Sequence, residues 1–183
     1  MKSLKEYLVP TVTLFVICLV ATVLLGLTNS VTEPIIEKLA EETEIKSRQI
    51  VFADAVSFGE ETEVNGAKVV AALDENDEII GHVVVNTAKG YGGDISVMTG
   101  VDADGKVTGV NILSHAETAG LGAKAAEQSF RDRFVGLVSG ITVSKDKAGE
   151  NSIDAITGAT ITSRAMTEAV NAAIEAAGGA NNG

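Results

Sequence analysis

The sequence predicts an α+β domain carried on one amino-terminal membrane helix. Three observations point there. Leu8–Leu27 (LVPTVTLFVICLVATVLLGL) is a run of 20 residues without a charge. Between Lys68 and Leu113, short β-branched runs alternate with tight polar turns. Ser163–Ala177 then sets Ala165, Met166, Ala169, Val170, Ala173, Ile174 and Ala177 along one stripe at helical spacing.

Composition narrows the function before any motif is read. A chain of 183 residues allows one domain of ordinary size plus an appendage. Its 25 acids against 14 bases give a net charge of −11, which argues against a nucleic-acid partner, because duplex binding needs a basic face. One Cys excludes an intramolecular disulfide framework, a Cys-ligated iron–sulfur cluster and a C-x-x-C-H haem site. Two His argue against a closed zinc site. Redox chemistry in this chain would need an organic cofactor.

The elements follow in order. At about 1.5 Å per residue, the charge-free run crosses a hydrocarbon core of roughly 30 Å. Pro10 stands near its start, where a helix tolerates proline best. Cys18 follows Ile17 inside the apolar run, which does not suit a lipoprotein cleavage site. The alternative is a cleaved signal peptide, but its apolar region would be about 7–15 residues, and no A-x-A precedes Thr28-Asn29-Ser30. Lys2 and Lys5 on the short side predict a cytoplasmic tail at 1–7, a transmembrane helix at 8–28 and an extracytoplasmic domain in the cell (inner) membrane. Lys38, Lys46 and Arg48 weaken that asymmetry.

Residues 29–60 read as a stalk helix and linker. Thr32 can cap a helix from Glu33 to Phe52, with Pro34 in its first turn. Glu42–Lys46 and Glu44–Arg48 stand at i, i+4 in the favoured order. The domain then occupies 61–178, with a flexible tail at 179–183. Its strands are expected at Lys68–Leu73, Ile79–Thr87, Ile95–Asp102 and Lys106–Leu113, joined by turns at Asp74–Asp77 and Ala103-Asp104-Gly105. Such short links predict an antiparallel meander. A glycine-bearing loop at Ser114–Gly122, a helix at Ala123–Phe134, a short strand at Ile141–Ser144 and a mostly looped 148–160 come next. The last helix is expected over Ser163–Ala177, ended by Gly178 and Gly179.

Chemistry concentrates before that helix, in Asp154-Ala155-Ile156-Thr157-Gly158-Ala159-Thr160-Ile161-Thr162-Ser163. A helix start leaves unpaired N–H groups and a partial positive charge, which together favour an anion. Capping by Thr160, Thr162 or Ser163 is the plain alternative, though a cap needs only one hydroxyl.

The run Asp154–Thr160 resembles the flavinylation motif D-x-x-[S/T]-G-A-[T/S] of membrane-anchored FMN proteins. His115–Gly122 (HAETAGLG) resembles the H-x-E-T-P-G-L-G loop of the G subunit of the Rnf electron-transport complex, and Tyr91-Gly92-Gly93 resembles that family's G-Y-G turn. The related C subunit of the sodium-pumping NADH:quinone reductase carries a similar loop but is longer. The resemblance covers nearly the whole chain. One departure is Ala119, which stands where the family has Pro, so φ is not fixed there.

The resemblance implies an FMN-binding domain whose cofactor is joined through its phosphate to the hydroxyl of Thr160 by a flavin transferase. Asp154, Thr157, Gly158 and Ala159 fill the other motif positions. Ile161 and Thr162 adjoin the attachment point, Leu121 is a candidate ring contact, and Glu117, Thr118 and Tyr91 are candidates to hold the loop or shield the ring. Lys124 is a candidate for the phosphate if its helix faces the site. No residue reads as a catalytic acid or nucleophile, so the flavin would supply the redox chemistry. His115 can tune a flavin, or simply hydrogen-bond within its loop. His82 and Met166 read as structural. Asp154 can serve recognition by the transferase instead of the mature fold.

The implied role is relay of electrons in a complex that couples ferredoxin/NAD electron transfer to Na+ or H+ transport. The implied partners are iron–sulfur subunits and a second flavin-bearing integral subunit. Two alternatives stay open: a stand-alone extracytoplasmic FMN carrier, and a non-redox membrane-anchored binding or structural domain.

Overall fold

The computed structural model describes residues 4–147 and 149–180, with side chains from Leu8 onward except that of Glu37. The outermost residues of the expected tails, 1–3 and 181–183, and Ala148 in the expected loop lie outside the described residues. The chain divides into two compact units, one up to Glu42 and one from Thr43.

Helix α1 (Leu4–Val51) is continuous over 48 residues. This corrects the expected break near Thr32, with a separate helix beginning at Glu33. The Thr32 hydroxyl, the candidate cap, turns backwards into the helix, as that of Thr28 does. Thr28 Oγ1 donates to Leu24 O at 2.9 Å, and Thr32 Oγ1 donates to Thr28 O at 2.9 Å. These bonds within the helix leave Thr32 as an interior residue, and Pro34 is accommodated inside the helix. Among the described residues, this is the helix long and apolar enough to cross a membrane. Its most apolar window has a mean hydropathy of 2.7, and none of that window is buried.

The second unit is built on a five-stranded antiparallel meander in the order β1-β2-β3-β4-β5. Strands β2 (Ala67–Leu73), β3 (Ile79–Lys89), β4 (Asp94–Asp102) and β5 (Val107–Ser114) fall where the β-branched runs predict them. Strand β1 (Ser57–Val64) is an addition to the expected four. It is an edge strand whose Glu60–Glu63 stretch is exposed, so it lacks the apolar alternation that marks the others. A two-residue turn joins it to β2, with Asn65 at φ 54° and Gly66 at φ 79°.

Helix α3 (Thr160–Ala180) lies across one face of the sheet, mainly over β3 and β4. Met166, Val170 and Ala173 are fully buried there against Val84, Val97 and Phe134. The helix starts three residues before its expected first residue and runs through Gly178 and Gly179, which were expected to end it. Ala176 and Ala177 are buried, and the helix end lies by Val64, whose Cγ1 is 3.3 Å from the Cβ position of Gly179. Packing therefore carries the helix past residues of poor propensity.

The opposite face of the sheet takes the end of α1. Val51, Phe52 and Ala55 pack with Ala72, Val83 and Met98. Thr108 Oγ1 donates to Val51 O at 2.6 Å. Gly100 and Gly109 make this approach possible, since a Cβ on either would fall 2.4–2.8 Å from Val51 backbone atoms. Gly109→Ala is expected to lower unfolding stability by about 1–3 kcal/mol through overpacking. Gly149→Ala, in open space, is the control. Equal thermal midpoints for the two variants would remove this packing account.

The expected helix at Ala123–Phe134 is broken into three pieces. A 3-10 segment (Gly122–Ala126), helix α2 (Gln128–Arg131) and a second 3-10 segment (Asp132–Phe134) follow each other. Glu127 between the first two is extended, at φ −68° and ψ 138°. The break lets Phe130 and Phe134 both enter the core, edge to face with ring centroids 5.6 Å apart. Arg131 then reaches Val110 O at 3.1 Å.

The expected strand at Ile141–Ser144 is β6 (Thr142–Val143). It pairs in parallel with β7 (Ser152–Ile153), a strand inside the segment read as loop.

Candidate functional site

Three segments converge at the start of α3: the Gly90–Gly93 turn after β3, the loop after β5, and the 154–160 segment. Gly158 at φ 80° makes the last turn before the helix, a conformation that favours glycine. Thr160 follows as the first helical residue. Between the segments lies a cavity of about 460 Å³, walled by Tyr91, Glu117, Leu121, Lys145, Thr160 and Ile161 among others. Small-ligand sites occupy roughly 300–1,000 Å³. Its apolar side chains are unusually open to solvent: Tyr91 is 72% exposed, Ile161 51% and Leu121 46%.

Glu117 ties the three segments together. Its Oε1 accepts from Gly92 N at 2.9 Å, and its Oε2 accepts from Thr162 Oγ1 at 2.6 Å. The side chain is 9% exposed. Gly90, Gly92 and Gly122 crowd this loop. A Cβ on Gly90 or Gly122 would fall 2.2 Å from a Glu117 carboxylate oxygen, and one on Gly92 would fall 2.2 Å from Ala116 O. Only glycine fits such approaches. Burial works to raise the Glu117 carboxyl, but hydrogen bonds from Thr162, Gly92 and Tyr91, with the nearby His115, hold it below the usual carboxylate value.

The loop keeps its shape without a proline at Ala119. Leu121 N and Ala123 N both donate to Thr118 O, at 3.2 and 3.1 Å. His115 Nδ1 accepts from Glu117 N at 3.2 Å, a bond within the loop. Capping hydroxyls were the plain alternative for the 160–163 cluster, yet two of them are committed elsewhere. Thr162 donates to Glu117, while Ser163 Oγ accepts from Ile156 N at 2.9 Å and donates to Ala159 O at 2.9 Å. Thr160 lines the cavity, and its Oγ1 accepts from Lys145 Nζ at 3.3 Å.

A family model described as FMN-binding domain matches residues 90–175, the span that contains all three converging segments. The chain is 36% identical to the G subunit of the proton-translocating ferredoxin:NAD(+) oxidoreductase complex of Clostridium ljungdahlii, covering 90% of this chain and 88% of that one. It is 37% identical to the G subunit of the Na(+)-translocating ferredoxin:NAD(+) oxidoreductase complex of Acetobacterium woodii, over 88% and 87%. This chain belongs to the G-subunit family of ion-translocating oxidoreductase complexes. The fold is also found in a solved structure. The C subunit of the Na(+)-translocating NADH-quinone reductase from Parabacteroides distasonis superposes with a TM-score of 0.51 at 22% identity, over 60% of each chain. The role that follows is that of an electron-carrying member of an Rnf/Nqr-type membrane complex.

In this family member the cavity brings together nine of the residues that the sequence predicts: Tyr91, Glu117, Thr118, Leu121, Gly158, Ala159, Thr160, Ile161 and Thr162. Three others stand apart. Lys124 and Thr157 line a separate, smaller cavity of about 210 Å³. The 3-10 geometry of Gly122–Ala126 replaces the helix that was to turn Lys124 toward the phosphate. Asp154 is exposed; its Oδ1 accepts from Ser144 Oγ at 2.8 Å, and its carbonyl accepts from Arg133 Nη1 at 2.8 Å. His82 lies inside β3, 5% exposed, with burial lowering its imidazole. Met166 is core. Lys145 is the cavity residue that the motifs did not indicate, because it lies nine residues before Asp154 in a stretch without a pattern.

The residues present fit a flavin mononucleotide. An apolar, open-faced cavity suits a flat ring. The start of α3 offers unpaired N–H groups to a phosphate, and the hydroxyl of Thr160 stands at that end with a cation beside it.

Proposed function

We propose that this protein relays electrons through FMN joined by a phosphoester to Thr160. The observation that carries the reading is the position of Thr160: first residue of α3, lining the cavity, within the D-x-x-[S/T]-G-A-[T/S] pattern. When bound, the flavin supplies the electron chemistry. The chain's residues bind and orient it. The first turn of α3 and Lys145 hold the phosphate, Leu121, Ile161 and Tyr91 cover the ring, and Glu117 keeps the three walls in register. No side chain in the cavity is asked to act as nucleophile or general acid in the relay itself.

The domain faces the extracytoplasmic side, with 1–7 as cytoplasmic tail, 8–28 as transmembrane segment and a stalk from 29; the FMN-binding domain is wider than the expected 61–178, because β1 from Ser57 and α3 to Ala180 belong to it. A covalent link suits that side, since a flavin lost there could not be recaptured. A flavin transferase matures the protein. The partners are the other members of the complex, among them iron–sulfur subunits and a second flavin-bearing integral subunit. Together they couple ferredoxin/NAD electron transfer to ion transport, as the names of the Clostridium and Acetobacterium relatives state for their complexes. Leu8–Leu27 contains no ionisable group except Cys18, so it offers no ion path, and translocation belongs to the partners.

The test is the intact mass of the protein from cells that contain an active flavin transferase, with peptide mapping across 149–164. Flavin mass on the Thr160 peptide supports the reading. An unmodified peptide from those cells overturns it.

A further inference from the structure

Lys145 has a better-defined place than an exposed lysine usually has. It lines the cavity, and it is the one cation among the described residues that do so. Its turn is held from both sides of Thr160. On one side, Ser144 N donates to Ile153 O at 2.8 Å, and Ser144 Oγ donates to Asp154 Oδ1 at 2.8 Å. On the other, the Asp146 carboxylate pairs with Arg164, accepting from Nε at 2.8 Å and from Nη2 as well. Arg164 stands one helical turn beyond Thr160, on the same side of α3. The first residue of the motif and the first turn of the helix therefore grip the turn that carries Lys145 to 3.3 Å from Thr160 Oγ1.

We propose that Lys145 is a positioning residue for phosphoester formation at Thr160, its ammonium setting the acceptor hydroxyl and taking up the charge of the phosphate. This rests on the reading of Thr160 as the flavin acceptor. In the transfer from FAD, Thr160 Oγ forms a bond to the flavin-side phosphorus. The bond from that phosphorus to the oxygen bridging to adenylate breaks, AMP leaves, and the hydroxyl proton passes to a base of the transferase. No electrons change hands.

Lys145 donates to Thr160 Oγ1 and so leaves the oxygen's own proton available for removal. A fixed positive charge beside an oxygen that is losing its proton stabilises the developing negative charge. After transfer, the ester oxygen still accepts a hydrogen bond, and the phosphate's negative charge is bonded directly to it. Asp154 thereby gains a role inside the fold: through Ser144 it steadies the turn that presents Lys145.

The experiment follows loading of the full-length protein, wild type against Lys145→Gln and Lys145→Arg, with transferase and FAD. The readouts are intact mass over time, the phosphorus-31 resonance of the loaded protein and the thermal midpoint. We expect Lys145→Gln to load about tenfold more slowly, as loss of one charge-assisted contact implies. Lys145→Arg should recover most of the rate, and midpoints should be equal, since the side chain is exposed. The resonance should shift in the Gln variant, which a purely structural role would not produce. Wild type that loads, with Lys145→Gln loading at the same rate, overturns this proposal alone. Slowing that Arg does not relieve also overturns it, because charge would then not be the cause. Wild type that takes no flavin overturns the Thr160 reading and this one with it.

Discussion

Thr160→Ala is expected to leave the protein folded and without covalent flavin. The hydroxyl is half-buried at the start of α3 and bonds to the exposed Lys145, so its loss leaves no buried partner stranded. Surface changes of this kind cost within about 0.5 kcal/mol. The chemistry is less forgiving, because a phosphoester needs an oxygen at that atom. Thr160→Ser keeps the oxygen and should keep the label. Neighbouring hydroxyls offer no substitute. Thr162 is 1% exposed and committed to Glu117, and Ser163 is 0% exposed and committed to Ile156 and Ala159. Thr157 is exposed but lines the other cavity. Intact mass and in-gel flavin fluorescence after denaturation decide the matter. Full label in Thr160→Ala would sink the attachment site.

Where residues carry their own local signal, the sequence is readable. Strands β2 to β5 show β-branched runs between turns whose chemistry is explicit. Asp74, for example, accepts from Asn76 N and Glu78 N at 2.8 and 2.9 Å, closing the β2–β3 turn. The cavity walls are likewise legible, because the glycines and the Glu117 loop stand as short motifs. Strand β1 was hidden by its acids, though the Asn65-Gly66 pair that follows it is a strong hairpin signal on its own. The continuity of α1 and the length of α3 were not legible. Back-bonded hydroxyls and buried alanines decide them, and these override Pro34, Gly178 and Gly179. The broken segment at 123–134 reflects two buried phenylalanines reaching for one core, a tertiary demand that periodicity does not report. Lys145 belongs to the same class. Its place is set by the parallel pairing of two-residue strands β6 and β7 and by the Asp146–Arg164 pair, both non-local.

The second large effect is expected at Glu117. Glu117→Ala removes the hydrogen bonds that Thr162, Gly92 and Tyr91 donate to the carboxylate, and bonds to a charged group are worth about 1.5–3 kcal/mol each. It also leaves Gly92 N–H and the buried Thr162 hydroxyl without that acceptor. A loss of about 2–5 kcal/mol follows, along with slow flavin loading, since the cavity walls lose their common strut. Glu117→Gln is gentler, because an amide oxygen still accepts from one donor and the Thr162 hydroxyl can rotate to accept from the amide. The charge itself then has a pH signature. The carboxyl titrates lower in the folded protein than its ordinary 4.5. The unfolded chain therefore binds the proton first as pH falls. Wild type should hold its full advantage over Glu117→Gln above pH 4.5 and lose it progressively as pH drops through the depressed folded value. Thermal midpoints of the two proteins from neutral pH down to about pH 3 measure this. A difference that stays constant over that range would mean that shape, not charge, makes Glu117 the strut.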